Sequence, residues 1–138
     1  MSKPVPERYR HLRSFAFGDS PALADELVEL VIRGIKTATC STEDEPNIST
    51  PGERWVVLDG GAEPRCVIET TGVTYRRFNE VDAAFAYDEG EGDRSLAHWR
   101  CAHQSYFGRL GRYSEDMMLM CERFRLIEVF SDGPGEGS

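Results

Sequence analysis

The stretch GDSPALADELVELVIRGIKTATCS, residues 18–41, predicts a helix that leads directly into a strand. Ser20 is a favourable N-cap, Pro21 suits the first helical position, and Gly34 is the expected stop. The threonines and small residues after Gly34 favour an extended strand. Apolar residues recur three and four positions apart and form one stripe of the helix, which consists of Leu23, Leu27, Leu30 and Val31.

Lys36 in this stretch is one of two lysines in a chain that has fourteen arginines. Arginine stays protonated at any accessible pH, whereas a desolvated lysine can lose its proton near neutrality and act as a base or nucleophile. In an ideal strand Lys36 and Thr39 point to opposite faces, so they converge only if the chain bends after Gly34. Two interpretations stay open: a titrating lysine beside a threonine hydroxyl, or a salt-bridged lysine at the edge of the core.

The rest of the chain predicts an α+β domain, or a small barrel closed by helices. STEDEPNISTPGE (41–53) is typical of a loop, and residues 54–76 form two β-rich runs around Asp59-Gly60-Gly61, which predicts a hairpin. Residues 78–110 have helical character with a break at the glycines, and MMLMCERFRLIEVF (117–130) predicts a central strand. The tail SDGPGEGS (131–138) is typical of a flexible acidic end.

Two apolar patterns predict which faces are buried. The second helix of the 78–110 region is capped by Asp93 or Ser95, and its inward stripe is expected at Leu96, Trp99, Ala102 and Tyr106. In the closing strand the inward residues alternate, and they are expected at Phe124, Leu126 and Phe130.

Length and composition predict one soluble globular domain. The chain has 138 residues, 40% hydrophobic and 29% charged. It has no apolar run near the roughly 18 residues of a membrane span, and its first residues, MSKPVPERYRHLR, do not resemble a signal peptide, so we expect a cytoplasmic location. The net charge of −8 argues against non-specific binding of long nucleic acids. Arginines at 76, 77, 123 and 125 either form a local basic pocket or pair with acidic residues.

The cysteines and histidines do not predict a metal site. Cys40, Cys66, Cys101 and Cys121 are far apart with no CxxC pair, which fits reduced thiols that pack as small hydrophobic residues. His98 and His103 lack the four-residue spacing of a metal pair on a helix face, so no zincin-like site is expected.

The run EGEGDRSL, residues 89–96, alternates carboxylates with glycine at a helix N-terminus. This spacing brings Glu89, Glu91 and Asp93 to one side of an extended loop. One carboxylate can orient Lys36 and relay protons, or two can hold Mg²⁺ for phosphodiester cleavage. A solvated acidic loop that only caps the helix is the third interpretation.

Together these motifs resemble the ASCH domain family. The resemblance rests on FGDSPALADELVELVIRGIKTATCS, CVIETTGV, FAYDEGEGDRSLAHWRCAH and CERFRLIEVF, and it spans roughly residues 15 to 130. It implies a fold similar to the PUA domain, a small mixed β-barrel flanked by helices, and a cleft for RNA or modified nucleosides. It also implies an N-terminal extension at 1–14, the domain at 15–130 and a tail at 131–138.

Small bacterial members of that family include amidohydrolases that deacylate N4-acetylcytidine, which implies an activity and a set of site residues here. Lys36, Thr39 and Glu91 match the catalytic lysine, threonine and glutamate, although Glu89 also fits the glutamate. On this hypothesis Thr39 attacks the amide carbonyl, Lys36 takes its proton and Glu91 positions the lysine. The residues expected to contact substrate are Gly34, Thr37, Ser41, Glu89, Asp93, His103 and Arg123.

The resemblance leaves other functions open. Relatives include metal-dependent ribonucleases and presumed RNA-binding modules, so the alternative is a single-stranded RNA-binding module or a ribonuclease that uses Mg²⁺. A non-enzymatic nucleoside sensor is a third possibility. For the amidohydrolase we expect no cofactor and no structural metal, a small nucleoside substrate, no membrane partner, and a monomer or homodimer.

Overall fold

The computed structural model describes residues 5–42 and 49–130 of the chain. The helices and strands within those ranges are, in chain order, β1 (Ser14–Ala16), α1 (Pro21–Ile32), β2 (Ala38–Thr42), β3 (Arg54–Leu58), β4 (Pro64–Arg77), α2 (Ala83–Glu89), α3 (Leu96–Arg109) and β5 (Met118–Val129). Short 3-10 turns lie at Glu7–Tyr9 and Phe78–Glu80.

Helix α1 forms where the sequence predicts it. The Ser20 hydroxyl accepts a hydrogen bond from the Leu23 backbone N–H at 3.2 Å, and Pro21 occupies the first turn. Gly34 follows the helix with φ 78°, a conformation that favours glycine. The buried stripe is confirmed at Leu27 and Val31 and also includes Ala24 and Val28, while Leu23 and Leu30 are partly buried beside it.

The five strands form one mixed sheet in the order β1-β3-β4-β5-β2. β1 is parallel to β3, and the other neighbours are antiparallel. β4 and β5 are long, and two register shifts, at Val67/Ile68 and Thr70/Gly72, interrupt their pairing. Because such irregularities bend strands, residues 64–69 of β4 can pair with β3 while residues 119–123 of β5, which lie opposite the other end of β4, pair with β2.

The sheet curls without closing. Among the described residues β1 and β2 are its two edges and are not hydrogen-bonded to each other. Both edges nevertheless line the same cavity, to which β1 contributes Phe15 and β2 contributes Thr39 and Ser41. The α+β class is therefore confirmed, and the expected barrel is open along the seam between β1 and β2.

Helices cover both faces of the sheet. In β5, Leu119 and Cys121 belong to the apolar cluster that α2 and α3 cover, whereas Phe124 belongs to the cluster under α1. Because side chains alternate along a strand, Met120 and Glu122 share the face of Phe124. The segment that precedes β1 also contacts the sheet, because Tyr9 is buried beside Val56 and Val67.

Several expectations need correction. β1 was not predicted, because three residues are too few to show alternation. α3 is capped by Ser95, but its buried residues are Trp99, His103 and Phe107, and Tyr106 is only partly buried. The buried face of α3 is rotated relative to the predicted stripe because His103 belongs to a buried network of polar contacts. Leu126 is 36% exposed, since the cluster under α1 ends at Phe124.

The predicted hairpin is confirmed as β3 and β4, joined by residues 59–63. All four cysteines are free thiols, although Cys101 is exposed on α3 rather than packed in the core. Residues 43–48 of the predicted loop and the predicted tail at 131–138 lie outside the described residues. Within the described ranges, every helix is too short or too polar to span a membrane.

Candidate active site

The link between α1 and β2 places Lys36 inside the protein. After Gly34 the backbone N–H groups of Ile35 and Lys36 both donate to the Leu30 carbonyl, at 2.9 and 3.1 Å. This cap turns the chain back against the end of α1, and β2 begins only at Ala38. The bend expected after Gly34 is therefore present, and Lys36 precedes the strand instead of alternating within it.

The Lys36 ammonium is surrounded by oxygen acceptors. Its Nζ lies 2.8 Å from Glu89 Oε1, 3.1 Å from Glu91 Oε2 and 2.9 Å from the Ala38 carbonyl oxygen. The side chains of Lys36 and Glu89 are each 1% exposed, and that of Glu91 is 18% exposed. Three short contacts match the three protons of an ammonium group, so the geometry fits a charged lysine.

Glu89 links this ion pair to α3. Its Oε2 accepts a hydrogen bond from Trp99 Nε1 at 2.9 Å and lies 3.6 Å from His103 Nε2. The His103 Nδ1 is 2.9 Å from the Trp99 carbonyl oxygen, and the two rings stack with centroids 4.3 Å apart. Both oxygens of the buried carboxylate therefore have donors, as a buried charge requires.

Charge pairing outweighs burial at this site. Burial by itself lowers the pKa of Lys36, but the carboxylates of Glu89 and Glu91 raise it above its ordinary value. Burial likewise acts to raise the pKa of Glu89, and the Lys36 ammonium, with smaller help from His103 and Trp99, lowers it instead. Of the two interpretations that the sequence left open, the contacts and these pKa directions favour the salt-bridged lysine over one that loses its proton near neutrality.

The loop between α2 and α3 holds the carboxylates in place. Gly90 ends α2 with φ 78°, and a Cβ there would lie 2.7 Å from the Ile35 carbonyl oxygen. Arg94 donates to the carbonyls of Tyr87 at 2.9 Å and Ile35 at 3.3 Å, and its guanidinium stacks on the Tyr87 ring. The loop is therefore fixed to the Lys36 segment by a close backbone approach that needs glycine.

Two adjoining cavities meet at Thr39. One, of about 260 Å³, contains Lys36, Glu89, Glu91 and His103 in its lining. The other, of about 150 Å³, lies at the open seam and contains Ser41, Trp55 and Glu122 in its lining. Both are also lined by Phe17, Gly18, Cys40 and Tyr106. The geometry thus forms one cleft with a charged end and an aromatic end.

Six of the residues expected at the site line this cleft, namely Lys36, Ser41, Thr39, Glu89, Glu91 and His103. The other four do not line either cavity. Gly34 is exposed at the end of α1, and the Thr37 hydroxyl donates to the Asp88 carbonyl. Asp93 accepts from the Ser95 backbone N–H, and Arg123 pairs with the Asp88 carboxylate.

Sequence reasoning missed Glu122 and Trp55. Both are buried and line the smaller cavity. Glu122 alternates with Met120 and Phe124 in an apolar strand, and a charged residue at an inward position is itself a signal of function. Trp55 carries no such signal, since an inward tryptophan in a strand is ordinary core.

One trio near the charged end has metal-ligand chemistry. Ligand atoms of Cys40, Glu89 and His103 lie within 4.8 Å of one another. Both Glu89 oxygens already accept hydrogen bonds, from Lys36 and Trp99. Burial raises the pKa of the Cys40 thiol well above its ordinary value. A cation at this trio would have to displace those bonds and deprotonate that thiol.

Comparison with known proteins places this geometry in a family context. A sequence model of the ASCH domain matches residues 13–128. The crystal structure of an ASCH domain from Lactobacillus crispatus JV V101 is 35% identical, with a TM-score of 0.78 over 87% of this chain and 82% of that one. A protein from Enterococcus faecalis V583 is 30% identical, with a TM-score of 0.79 over 91% and 83% of the two chains.

A more distant structure agrees in fold alone. An ASCH protein from Zymomonas mobilis is 10% identical, with a TM-score of 0.56 over 86% of this chain and 71% of that chain. Curated proteins of known function gave no match.

Proposed function

We propose that this chain, which belongs to the ASCH domain family, is an amidohydrolase that removes the acyl group from a small acylated nucleoside such as N4-acetylcytidine. The observation that carries the proposal is the charged end of the cleft, where Thr39 borders a cavity whose lining includes the buried Lys36 ammonium and two carboxylates. Perturbed ionisable groups that converge on a cavity are typical of catalytic sites.

Thr39 is the proposed nucleophile and Glu91 the proposed base. Glu91 is the more exposed of the two carboxylates, and the Lys36 ammonium fixes its side chain. In the first step the Thr39 oxygen bonds to the amide carbon while its proton passes to Glu91. As the C–N bond breaks, Glu91 returns that proton to the leaving nitrogen, and water then hydrolyses the acyl-threonine ester with Glu91 again as base.

Lys36 has an electrostatic role in this scheme. Its three protons are taken by Glu89, Glu91 and the Ala38 carbonyl, and its pKa is raised, so it is a poor proton acceptor. The positive charge instead holds Glu91 in position and favours negative charge that develops beside it in the transition state. Lys36 and Glu91 thus exchange the roles expected from the family resemblance.

The proposal is tested by incubating the purified protein with N4-acetylcytidine and measuring cytidine and acetate by chromatography. Loss of a nucleophile or general base typically costs at least about 100-fold in rate. We therefore expect Thr39→Val and Glu91→Gln to lose at least that much activity. Thr74→Val, on an exposed position of β4, and the exposed Glu115→Gln are matched controls that should keep it. A wild-type protein that releases no acetate would contradict the proposal.

RNA binding, with or without Mg²⁺-dependent cleavage, is the less supported alternative. Three of the four arginines expected for a basic pocket are paired with carboxylates: Arg76 with Asp82, Arg123 with Asp88 and Arg125 with Glu69. The fourth, Arg77, donates to the Asp116 carbonyl. A polyanion would have to displace these partners on a chain of net charge −8. Retardation of labelled RNA that weakens with added salt, or cleavage that requires Mg²⁺, would favour this alternative.

A further inference from the structure

Glu122 is a buried carboxyl group beside the proposed nucleophile. β2 and β5 are antiparallel, and their register places Thr39 directly opposite Glu122. Directly opposed residues project from the same face of a sheet with their Cβ atoms about 5 Å apart. Glu122 therefore borders the cleft on the side of Thr39 where the smaller cavity lies.

No cation offsets the charge of Glu122. The residue is 7% exposed, and Thr70 Oγ1 donates to its Oε2 at 2.6 Å. Ser49 supplies a second hydroxyl contact, and no lysine or arginine of the described ranges pairs with it. Burial, only partly offset by these hydroxyls, raises the pKa of Glu122. A buried carboxyl kept without a counter-ion costs stability, which points to a ligand that uses it.

The rest of the cavity suits a flat ring. Its aromatic lining comes from Phe15, Phe17, Trp55 and Tyr106. Its volume is about 150 Å³, and an engineered protein cavity of about that size is known to bind benzene. Among the described residues, Trp55 Nε1 is also the one buried side-chain nitrogen or oxygen without a hydrogen-bond partner.

We propose that the smaller cavity binds the base of the substrate, a 4-aminopyrimidine of the cytosine type, with the Glu122 carboxylate accepting a hydrogen bond from its exocyclic N4–H. The proposal rests on the proposed function for the identity of the substrate. In this arrangement the acyl group lies at the charged end of the cleft and the amine half at the aromatic end, with the scissile bond at Thr39.

This site discriminates by hydrogen-bond direction. A carboxylate accepts from the N4 amino group of cytosine, whereas uracil presents a carbonyl oxygen at the same position and repels it. In Glu122→Gln the side-chain oxygen can keep the Thr70 hydrogen bond, which leaves the amide NH₂ to face the cavity. A donor then replaces the acceptor, and the preference for cytosine should disappear.

The test is calorimetric binding of cytidine and of uridine, which involves no turnover. We expect the wild type to bind cytidine at least about tenfold more tightly, as a hydrogen bond to a charged group implies. Glu122→Gln should bind the two nucleosides within about twofold of each other, or prefer uridine. Glu69→Gln, which removes a carboxylate on β4 that lines neither cavity, is the matched control and should keep the wild-type preference.

The binding measurements decide whether the smaller cavity is a base site, independently of whether the protein hydrolyses N4-acetylcytidine. A wild type that binds the two nucleosides equally, or binds neither, overturns it, as does a Glu122→Gln variant that keeps the preference. A wild type that prefers cytidine and loses this preference in Glu122→Gln, yet releases no acetate from N4-acetylcytidine, supports the base site and contradicts the proposed hydrolysis.

Discussion

The single residue on which the site depends is Lys36. A lysine that is 1% exposed survives in the core only because Glu89 and Glu91 compensate its charge. The sequence singles out this lysine, because fourteen of the sixteen basic residues are arginines, but its protonation state depends on the number of acceptors around it. The two carboxylate acceptors come from residues more than fifty positions away, so the pattern around Lys36 alone does not show how many of them reach it.

The first prediction concerns this ion pair. We expect Lys36→Met to lower the free energy of unfolding by about 3–5 kcal/mol, because it leaves the Glu89 charge buried without its partner. The double variant Lys36→Met/Glu89→Gln should recover most of that loss, as measured by urea denaturation. Arg33→Met removes the exposed pair with Glu29 and should cost less than about 1 kcal/mol. A double variant as unstable as Lys36→Met would contradict this account.

Glu122 should show the opposite behaviour. Its pKa is raised by burial, so ionised Glu122 opposes folding at pH values above its unfolded pKa of 4.5. Glu122→Gln removes this charge and should stabilise the protein by about 1 kcal/mol at pH 7. Below pH 4.5 the carboxyl is protonated in both states, so the difference should vanish. Thermal unfolding of both proteins at pH 4 and pH 7 measures this difference in stability. A Glu122→Gln variant that is less stable than the wild type at pH 7 would show that the carboxylate stabilises the fold.

At the scale of elements, the sequence predicts those with strong local signals. Helix α1 has a cap, a proline and a glycine stop, and the β3–β4 hairpin has glycines between two β-rich runs. β1 has three residues and exists because β3 offers it a parallel edge, which is a tertiary effect. The inward face of α3 is set by the contacts of Trp99 and His103 with Glu89, so periodicity alone misplaces it.

The loop after α2 gives the prediction at this scale. Gly90→Ala places a Cβ 2.7 Å from the Ile35 carbonyl oxygen, in a backbone conformation of positive φ. Gly111 has φ 70° with open space around it, so Gly111→Ala isolates the conformational cost. We expect Gly90→Ala to be less stable than Gly111→Ala by at least about 1 kcal/mol in thermal unfolding. Equal losses would mean that the close approach to Ile35 is unimportant.

At the scale of the whole molecule, the cleft is a consequence of an incomplete barrel. The seam between β1 and β2 leaves room for the smaller cavity at one end of the cleft. The break between α2 and α3 brings Glu89 and Glu91 to the other end of the cleft. The family resemblance predicts the architecture and the charged end, since those motifs are contiguous in sequence. The aromatic end joins β1, β2, β3 and β5, so only the folded sheet assembles it.

A ligand in the smaller cavity should bridge the two edges of the sheet. We expect saturating cytidine to slow amide hydrogen exchange in residues 14–17 and 38–42, because local opening of the seam would then require ligand release. The hairpin turn at residues 59–63 lies outside the smaller cavity and is the internal control. Mass spectrometry of exchanged peptides measures both. Protection of the turn with unchanged edges would place the ligand elsewhere.

Nitrogen-15 NMR of the lysine side chains tests most directly whether Lys36 is a buried cation. The chain has two lysines, so Lys3→Arg leaves one Nζ signal, that of Lys36. We predict that this signal keeps the chemical shift of a protonated ammonium from neutral pH to beyond pH 10.5. The ordinary pKa of a lysine is 10.5, and the carboxylates beside Lys36 raise its pKa above that value. A signal that moves to the neutral amine position between pH 6 and 9 would contradict the account.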